Sequence, residues 1–224
     1  MKRRFVCLAN SKKYGERCIA GIELSEGKER KYEIVRKDDK PGWIRPVTKD
    51  AHGAVPSHLV NHIKLLDVVE IEVTEETPDG YQCENCAFDL HSIKVIDTIQ
   101  PRRESLDKLC DNNQSLLFGN ERSKVPATII HAISHSLIFI RPDYAEIVMS
   151  EVNTNQYRLR FIYNHNHLDL PITDVNFIAL LNSRDNISLE TIGVKVRYIT
   201  VSLGVEYEKH YYKLVAGVIA DCIP

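Results

Sequence analysis

The sequence predicts a mainly β protein of two tandem small barrels, each with one short helix. Three observations carry the prediction. Short apolar runs with β-type alternation recur from end to end, while helical periodicity is confined to brief stretches. The 224 residues are 43% hydrophobic and 27% charged, ordinary values for a globular protein, and the length suffices for one large core or two small ones. The tripeptide Ile-Arg-Pro follows a β-type run twice, at Ile44-Arg45-Pro46 and Ile140-Arg141-Pro142. It reads as one strand-end device used in two halves of roughly a hundred residues.

The elements follow in order. Phe5–Ala9 and Cys18–Leu24 read as strands joined by the polar, glycine-containing run Ser11–Arg17, a connection of hairpin type. A charged stretch over Ser25–Lys40 precedes Trp43–Val47, whose Pro46 belongs at a strand edge or end because it has no N–H to donate. Ser57–Leu66 fits a short helix with Leu59, Ile63 and Leu66 on one face and Ser57 as its cap. Val68–Val73 alternates as a half-buried strand, Pro78-Asp79-Gly80 is a turn, and Ile93–Ile99 closes the first half.

Arg103–Cys110 suggests another short helix, broken by Asp111-Asn112-Asn113-Gln114. In the second half, strands are expected at Ile129–Ile133, Ser136–Ile140, Ala145–Glu151 and Tyr157–Tyr163, with Asn164–His167 as a polar turn. Thr173 or Asp174 can cap a helix through Leu181, and Val194–Leu203 and Tyr211–Ile219 are the last strands. Strands in this number with one helix per half favour paired five-stranded OB barrels over a doubly wound sheet. The expected domains are residues 1–100 and 128–224, with 101–127 as a connector that packs in its own right.

Several blocks bear a family resemblance. Leu8–Gly21 with Asn10-Ser11-Lys12-Lys13-Tyr14-Gly15-Glu16-Arg17, then Trp43–Val47, Leu66–Val69 and Tyr81-Gln82-Cys83-Glu84-Asn85 stand in the first half. Leu170-Pro171-Ile172-Thr173-Asp174, Val201–Gly204 and Tyr211–Ile219 stand in the second. In their joint order these blocks resemble the bacterial dual-OB-domain family along nearly the whole chain. The resemblance implies two OB folds in tandem and brings no assigned reaction. Read physically, Gly21 and Gly217 permit close strand approach, Asp174 is a helix cap, and Glu84-Asn85 can satisfy backbone groups at a strand end.

Charge is unevenly placed. Residues 1–50 carry 14 Lys/Arg against 8 Asp/Glu, and residues 51–100 carry 2 against 9, within a net charge of −2. A basic face beside an acidic one can dock phosphates; the competing reading is that the two regions neutralise each other in the fold. The best phosphate-contact candidates are Lys12, Lys13 and Arg17, with Tyr14 as a stacking platform. Trp43 and Arg45 alternate on a strand and suit a base on the indole with a guanidinium beside it. The alternative places Trp43 in the core and Arg45 in a structural ion pair. Arg141 is read as the counterpart of Arg45 in the second half.

Other constellations point nowhere specific. Cys83-Glu84-Asn85-Cys86 has the spacing of half a zinc site without a second close pair, and His131 with His135 lacks the glutamate of a zincin. No metal or cofactor is therefore expected. The six cysteines read as free thiols, with Cys7, Cys18 and Cys222 as small core residues. No phosphate-binding glycine loop, nucleophile elbow or carboxylate pair stands out, so a non-catalytic role is expected.

The apolar stretch after Met1-Lys2-Arg3-Arg4 is short for a signal-peptide core, and no run approaches a membrane span, so the expected location is cytoplasmic, away from membranes. The leading expectation is a tandem-OB module binding nucleic acid, single-stranded in preference, with little sequence selectivity. An adaptor subunit docking a protein partner from the same operon, in a bacterial defence or genome-maintenance system, is the second reading. A nucleotide or small-molecule sensor is the third.

Overall fold

In the computed structural model, residues 1–27, 32–49, 52–111, 114–153, 155–183 and 194–222 are described, Cys222 in its backbone only. The expected break at Asn112-Asn113 and the expected core role of Cys222 lie outside the described residues. The chain divides into two units, Met1–Asp111 and Asn112–Pro224. Among the described residues no helix is long and apolar enough to cross a membrane.

Unit 1 contains β1 (Lys2–Lys13), β2 (Glu16–Glu26), the short β3 (Tyr32–Ile34), β4 (Arg36–Lys37) and β5 (Lys40–Pro41), then β6 (Trp43–Val47), α1 (Ser57–Val60), β7 (Asp67–Glu76), β8 (Asn85–Phe88), β9 (Lys94–Thr98) and α2 (Arg103–Asp107). The strands close in the order β1-β2-β6-β8-β7 and back to β1. All of these pairings are antiparallel except β6 with β8, which run parallel from Arg45↔Asn85 to Val47↔Ala87. That circuit, with a helix between its third and fourth strands, is the Greek-key barrel of the OB fold.

Its core holds Phe5, Cys7, Ile19, Ile44, Val69 and Ile71, together with Val60 and Ile63 from the α1 region that plug the barrel. The Asn10 side chain donates to the Ile63 carbonyl at 2.9 Å and ties β1 to that plug. Gly21 is required by contact: a Cβ there would stand 1.9 Å from the Val6 carbonyl oxygen.

Unit 2 contains β10 (Lys124–Pro126), β11 (Leu137–Ile140), β12 (Tyr144–Met149), β13 (Tyr157–Tyr163), β14 (Asn166–Pro171), α3 (Val175–Asn182), β15 (Val194–Tyr207) and β16 (His210–Cys222). The wiring repeats. β12, β13 and β14 form a meander, Ile172 bridges Val215 of β16 in parallel, β16 pairs β15, and β15 pairs β11. β11 and β12 are thus one barrel strand broken at Arg141-Pro142. Pro142 has no N–H for a ladder, and it stands where the strand changes partner from β15 to β13. Both halves are therefore OB-type barrels with one helix after the third barrel strand.

This wiring corrects the reading of the two Ile-Arg-Pro tripeptides. The first lies in the third barrel strand of unit 1 and the second at the break in the first barrel strand of unit 2. Arg141 is not the counterpart of Arg45.

Other elements shift too. The run expected as a loop at Ser11–Arg17 is strand up to Lys13 and again from Glu16, with a two-residue turn at Tyr14 (φ 48°) and Gly15 (φ 86°). The helix expected to Leu66 stops at Val60, and Ser57 does not cap it; its backbone N–H donates to the Glu16 carboxylate. Ala127–Ala132 is a 3₁₀ segment, not a strand: it follows Pro126 and leaves Ile129 40% exposed. Asp174 is the α3 cap, accepting the N–H groups of Asn176 and Phe177 through Oδ1, and its Oδ2 accepts Val218 N–H from β16.

Lys213 on β16 is fully buried, and its Nζ donates to the Asn120 carbonyl at 2.8 Å. Burial pushes its ammonium down to about 7. Between that value and the ordinary lysine range near 10.4, the unfolded chain holds a proton that the native state lacks, so stability rises with pH. Chemical denaturation from pH 7 to 10 is expected to show this rise, at most about 1.4 kcal/mol per pH unit from this group. Lys213→Met should flatten it.

Candidate nucleic-acid interface

The β1–β2 hairpin is long because its two strands stay paired to the tip, Lys12 with Arg17 and Lys13 with Glu16. Arg17 pairs with Val55 by reciprocal backbone bonds of 3.0 and 2.8 Å, which seats the tip on the segment leading into α1. The Arg17 guanidinium donates to Asn61 Oδ1 at 3.2 Å. Tyr14, 60% exposed, stacks on His52 with ring centroids 4.0 Å apart and planes 23° off parallel. Lys12 is exposed beside it in sequence and Lys13 is half-buried. Burial lowers the Lys13 pKa, with the Arg45 charge acting in the same direction. Within residues 12–17 Glu16 alone is acidic, and its carboxylate is held by the Ser57 N–H. Among the described residues no carboxylate pairs with Lys12, Lys13 or Arg17.

Trp43 and Arg45 sit deeper, where OB barrels commonly seat ligands on the second and third strands. Trp43 is half-buried, lies opposite the buried Ile22 and donates Nε1–H to Asp111 at 3.4 Å. Arg45 is 3% exposed; its Nε donates to Asn85 Oδ1 at 2.7 Å and its Nη2 lies 3.1 Å from Glu84 Oε1. Gln82, Glu84 and Asn85 are buried with it, and Asn85 Nδ2 donates to Gln82 Oε1. This is the structural ion pair weighed against a groove contact for Arg45, and it fastens β6 to the end of the β7–β8 connection. Arg141 is exposed in unit 2. The structure thus gathers Lys12, Lys13, Tyr14 and Arg17 at one tip, and places Trp43 and Arg45 in the barrel wall.

Part of the uneven charge is settled inside unit 1. Arg3 pairs with Glu76, Arg4 and Lys2 pair with Glu70, and Arg45 pairs with Glu84. Each joins the basic first fifty residues to the acidic next fifty, so the neutralising reading holds for these groups. Cys83 is exposed whereas Cys86 is in the core, its thiol pushed up to about 12 by burial.

In unit 2, sequence reasoning missed a network on the corresponding face. Arg158 and Arg160 of β13 flank Asp169 of β14, with Nε–O distances of 2.5 and 3.1 Å, and Glu151 lies 3.6 Å from Arg160. They line a cleft of about 420 Å³ with Ser150, Val152 and Gln156. Asp169, Glu151 and the cross-strand neighbour Glu146 balance these arginines, which leaves the cleft without a cationic surplus. The alternation Tyr157-Arg158-Leu159-Arg160-Phe161 was the signal that could have found them.

A family model described as the dual OB-containing domain matches residues 3–218. No curated protein matches the chain. Among solved structures, the crystal structure of the tetrameric p202 HIN2 is 8% identical with a TM-score of 0.31, covering 100% of this chain and 92% of that one. A murine DNA binding protein bound with ds DNA is 7% identical with a TM-score of 0.29, covering 100% and 97%. At that level neither likeness bears on what this chain binds.

The Arg45 cluster yields a stability prediction. Glu84→Ala leaves a buried guanidinium without its carboxylate and is expected to cost about 3–5 kcal/mol in urea denaturation. Pairing it with Arg45→Met should recover much of that loss.

Proposed function

This chain belongs to the dual OB-containing domain family, and we propose that it is a non-catalytic module that binds single-stranded nucleic acid with little sequence preference. The observation that carries the reading is the exposed Tyr14 ring, held on His52 at the tip of a cationic hairpin. A stacked, pre-ordered ring offers a π-face that any unpaired base can cover, while a base inside a duplex cannot reach it. Lys12 and Arg17 then stand within the same hairpin for backbone phosphates, and their binding would release counterions.

The turn supports this division of labour. It fixes the Tyr14 backbone at positive φ, and the bonds of Arg17 to Val55 hold the tip still, so little ordering entropy remains for the ligand to meet. The ion pairs of Lys2, Arg3, Arg4 and Arg45 take those cations out of any broad basic face.

Fluorescence anisotropy with labelled oligonucleotides tests the reading. Binding at micromolar protein and low salt is expected, stronger for a single strand than for the matching duplex and weaker as salt rises. Tyr14→Ala should weaken it about tenfold, as loss of one base stack does. Lys12→Ala should reduce the salt slope by about one. Absence of binding at micromolar protein and low salt contradicts the proposal.

A further inference from the structure

We propose that the β15–β16 hairpin of unit 2 is a second base-stacking contact for a single strand. It rests on the reading above and concerns different residues in the other barrel. Sequence reasoning assigned this hairpin only to the fold.

Strand register sets the geometry here. Tyr207 pairs with His210 across the hairpin, and Lys124 of β10 pairs with Tyr212. Paired residues share a face, and so do residues two apart on one strand. Tyr207, His210, Tyr212 and Lys124 therefore line one face, while Glu206 and Tyr211 occupy the other, joined by a 3.2 Å hydrogen bond. The rings form a row: Tyr207 to Tyr212 is 6.3 Å between centroids and His210 to Tyr212 is 6.4 Å. The Lys124 ammonium stands 5.5 Å from the Tyr212 ring centre, a cation–π arrangement.

This row does not serve the core. Tyr207 is 64% exposed, and none of the three rings is buried. The hairpin places them beyond Leu203, the last core residue of β15, on a turn made by Glu208 and Lys209 at positive φ. Its rigidity is supplied locally: His210 Nδ1 lies 2.8 Å from the Glu208 carbonyl oxygen, and Pro126 pairs opposite His210. Rings in a row with a cation beside them match the chemistry of unstacked bases on a phosphate backbone. The acidic partners do not reverse the sign on this face, since Glu206 turns away with Tyr211.

The full-length chain tests it with an oligothymidylate carrying 5-iodouracil. Irradiation of the complex is expected to crosslink the peptide holding Tyr207 and Tyr212. Tyr207→Ala should weaken binding about tenfold, whereas Tyr207→Phe, which keeps the ring, should stay within twofold. Tyr211→Phe on the opposite face is the control and should leave affinity unchanged. If the wild type binds but Tyr207→Ala binds equally and no crosslink falls on this hairpin, this proposal fails and the reading from Tyr14 stands. If the wild type binds no oligonucleotide, both fail. Unchanged oligonucleotide affinity together with loss of self-association in Tyr207→Ala would make the hairpin a protein contact and overturn the proposal.

Discussion

Each barrel must close by laying its fifth strand parallel to its third, and the rest of the structure is arranged around that joint. A parallel pair cannot be joined by a tight turn, so the chain has to cross over between the two strands. In both units the crossover carries a short helix and the fourth strand, and the joint contains buried polar groups. Unit 1 places Arg45 against Glu84 and Asn85 there. Unit 2 places Asp174 there, capping α3 with one oxygen and accepting Val218 N–H with the other, beside the Thr173 N–H bond to Val215. Different residues meet the same demand, for a backbone that changes partners inside a barrel needs its N–H and C=O groups satisfied.

The proposed binding role uses what that closure leaves over. With the joint sealed and the ion pairs between β1 and β7 formed, Lys2, Arg3, Arg4 and Arg45 are committed to the barrel. The hairpin ends are not. They project past the core, carry their own turns at positive φ, and present rings that the core does not need. Among the described residues, Tyr14 with His52 and Tyr207 with Tyr212 are such pairs, one in each unit. A small barrel has little inner volume for a ligand, which favours the proposed contacts on its hairpins.

The sequence was legible where periodicity and backbone chemistry speak together. Tyr157–Tyr163 and the Asp174-capped helix stand as expected, because alternation and a capping carboxylate act locally. Val68–Val73 is a strand as expected, though buried on both faces from Val68 to Ile71 rather than half-buried. Gly21 was read as a close-approach residue and is one. Legibility failed where a long-range partner decides. Ser57 resembles a cap, yet Pro56 precedes it and Glu16, forty-one residues away in sequence, takes its N–H. Ile129–Ile133 is apolar like a strand, but Pro126 turns the chain into a 3₁₀ segment. The repeated Ile-Arg-Pro misled for the same reason, since identical tripeptides met different neighbours. Of the candidate site, the cluster at Lys12–Arg17 was visible from composition, whereas the burial of Arg45 and the ring row at Tyr207–Tyr212 depend on strand register.

Hydrogen–deuterium exchange of the whole chain with and without a short oligothymidylate reports where a bound strand lies without presuming a residue. Slower exchange on binding is expected in residues 10–18 and 52–58, with the Arg45–Glu84 joint unchanged. Unaltered exchange around Tyr14 in a chain saturated with oligonucleotide would contradict it.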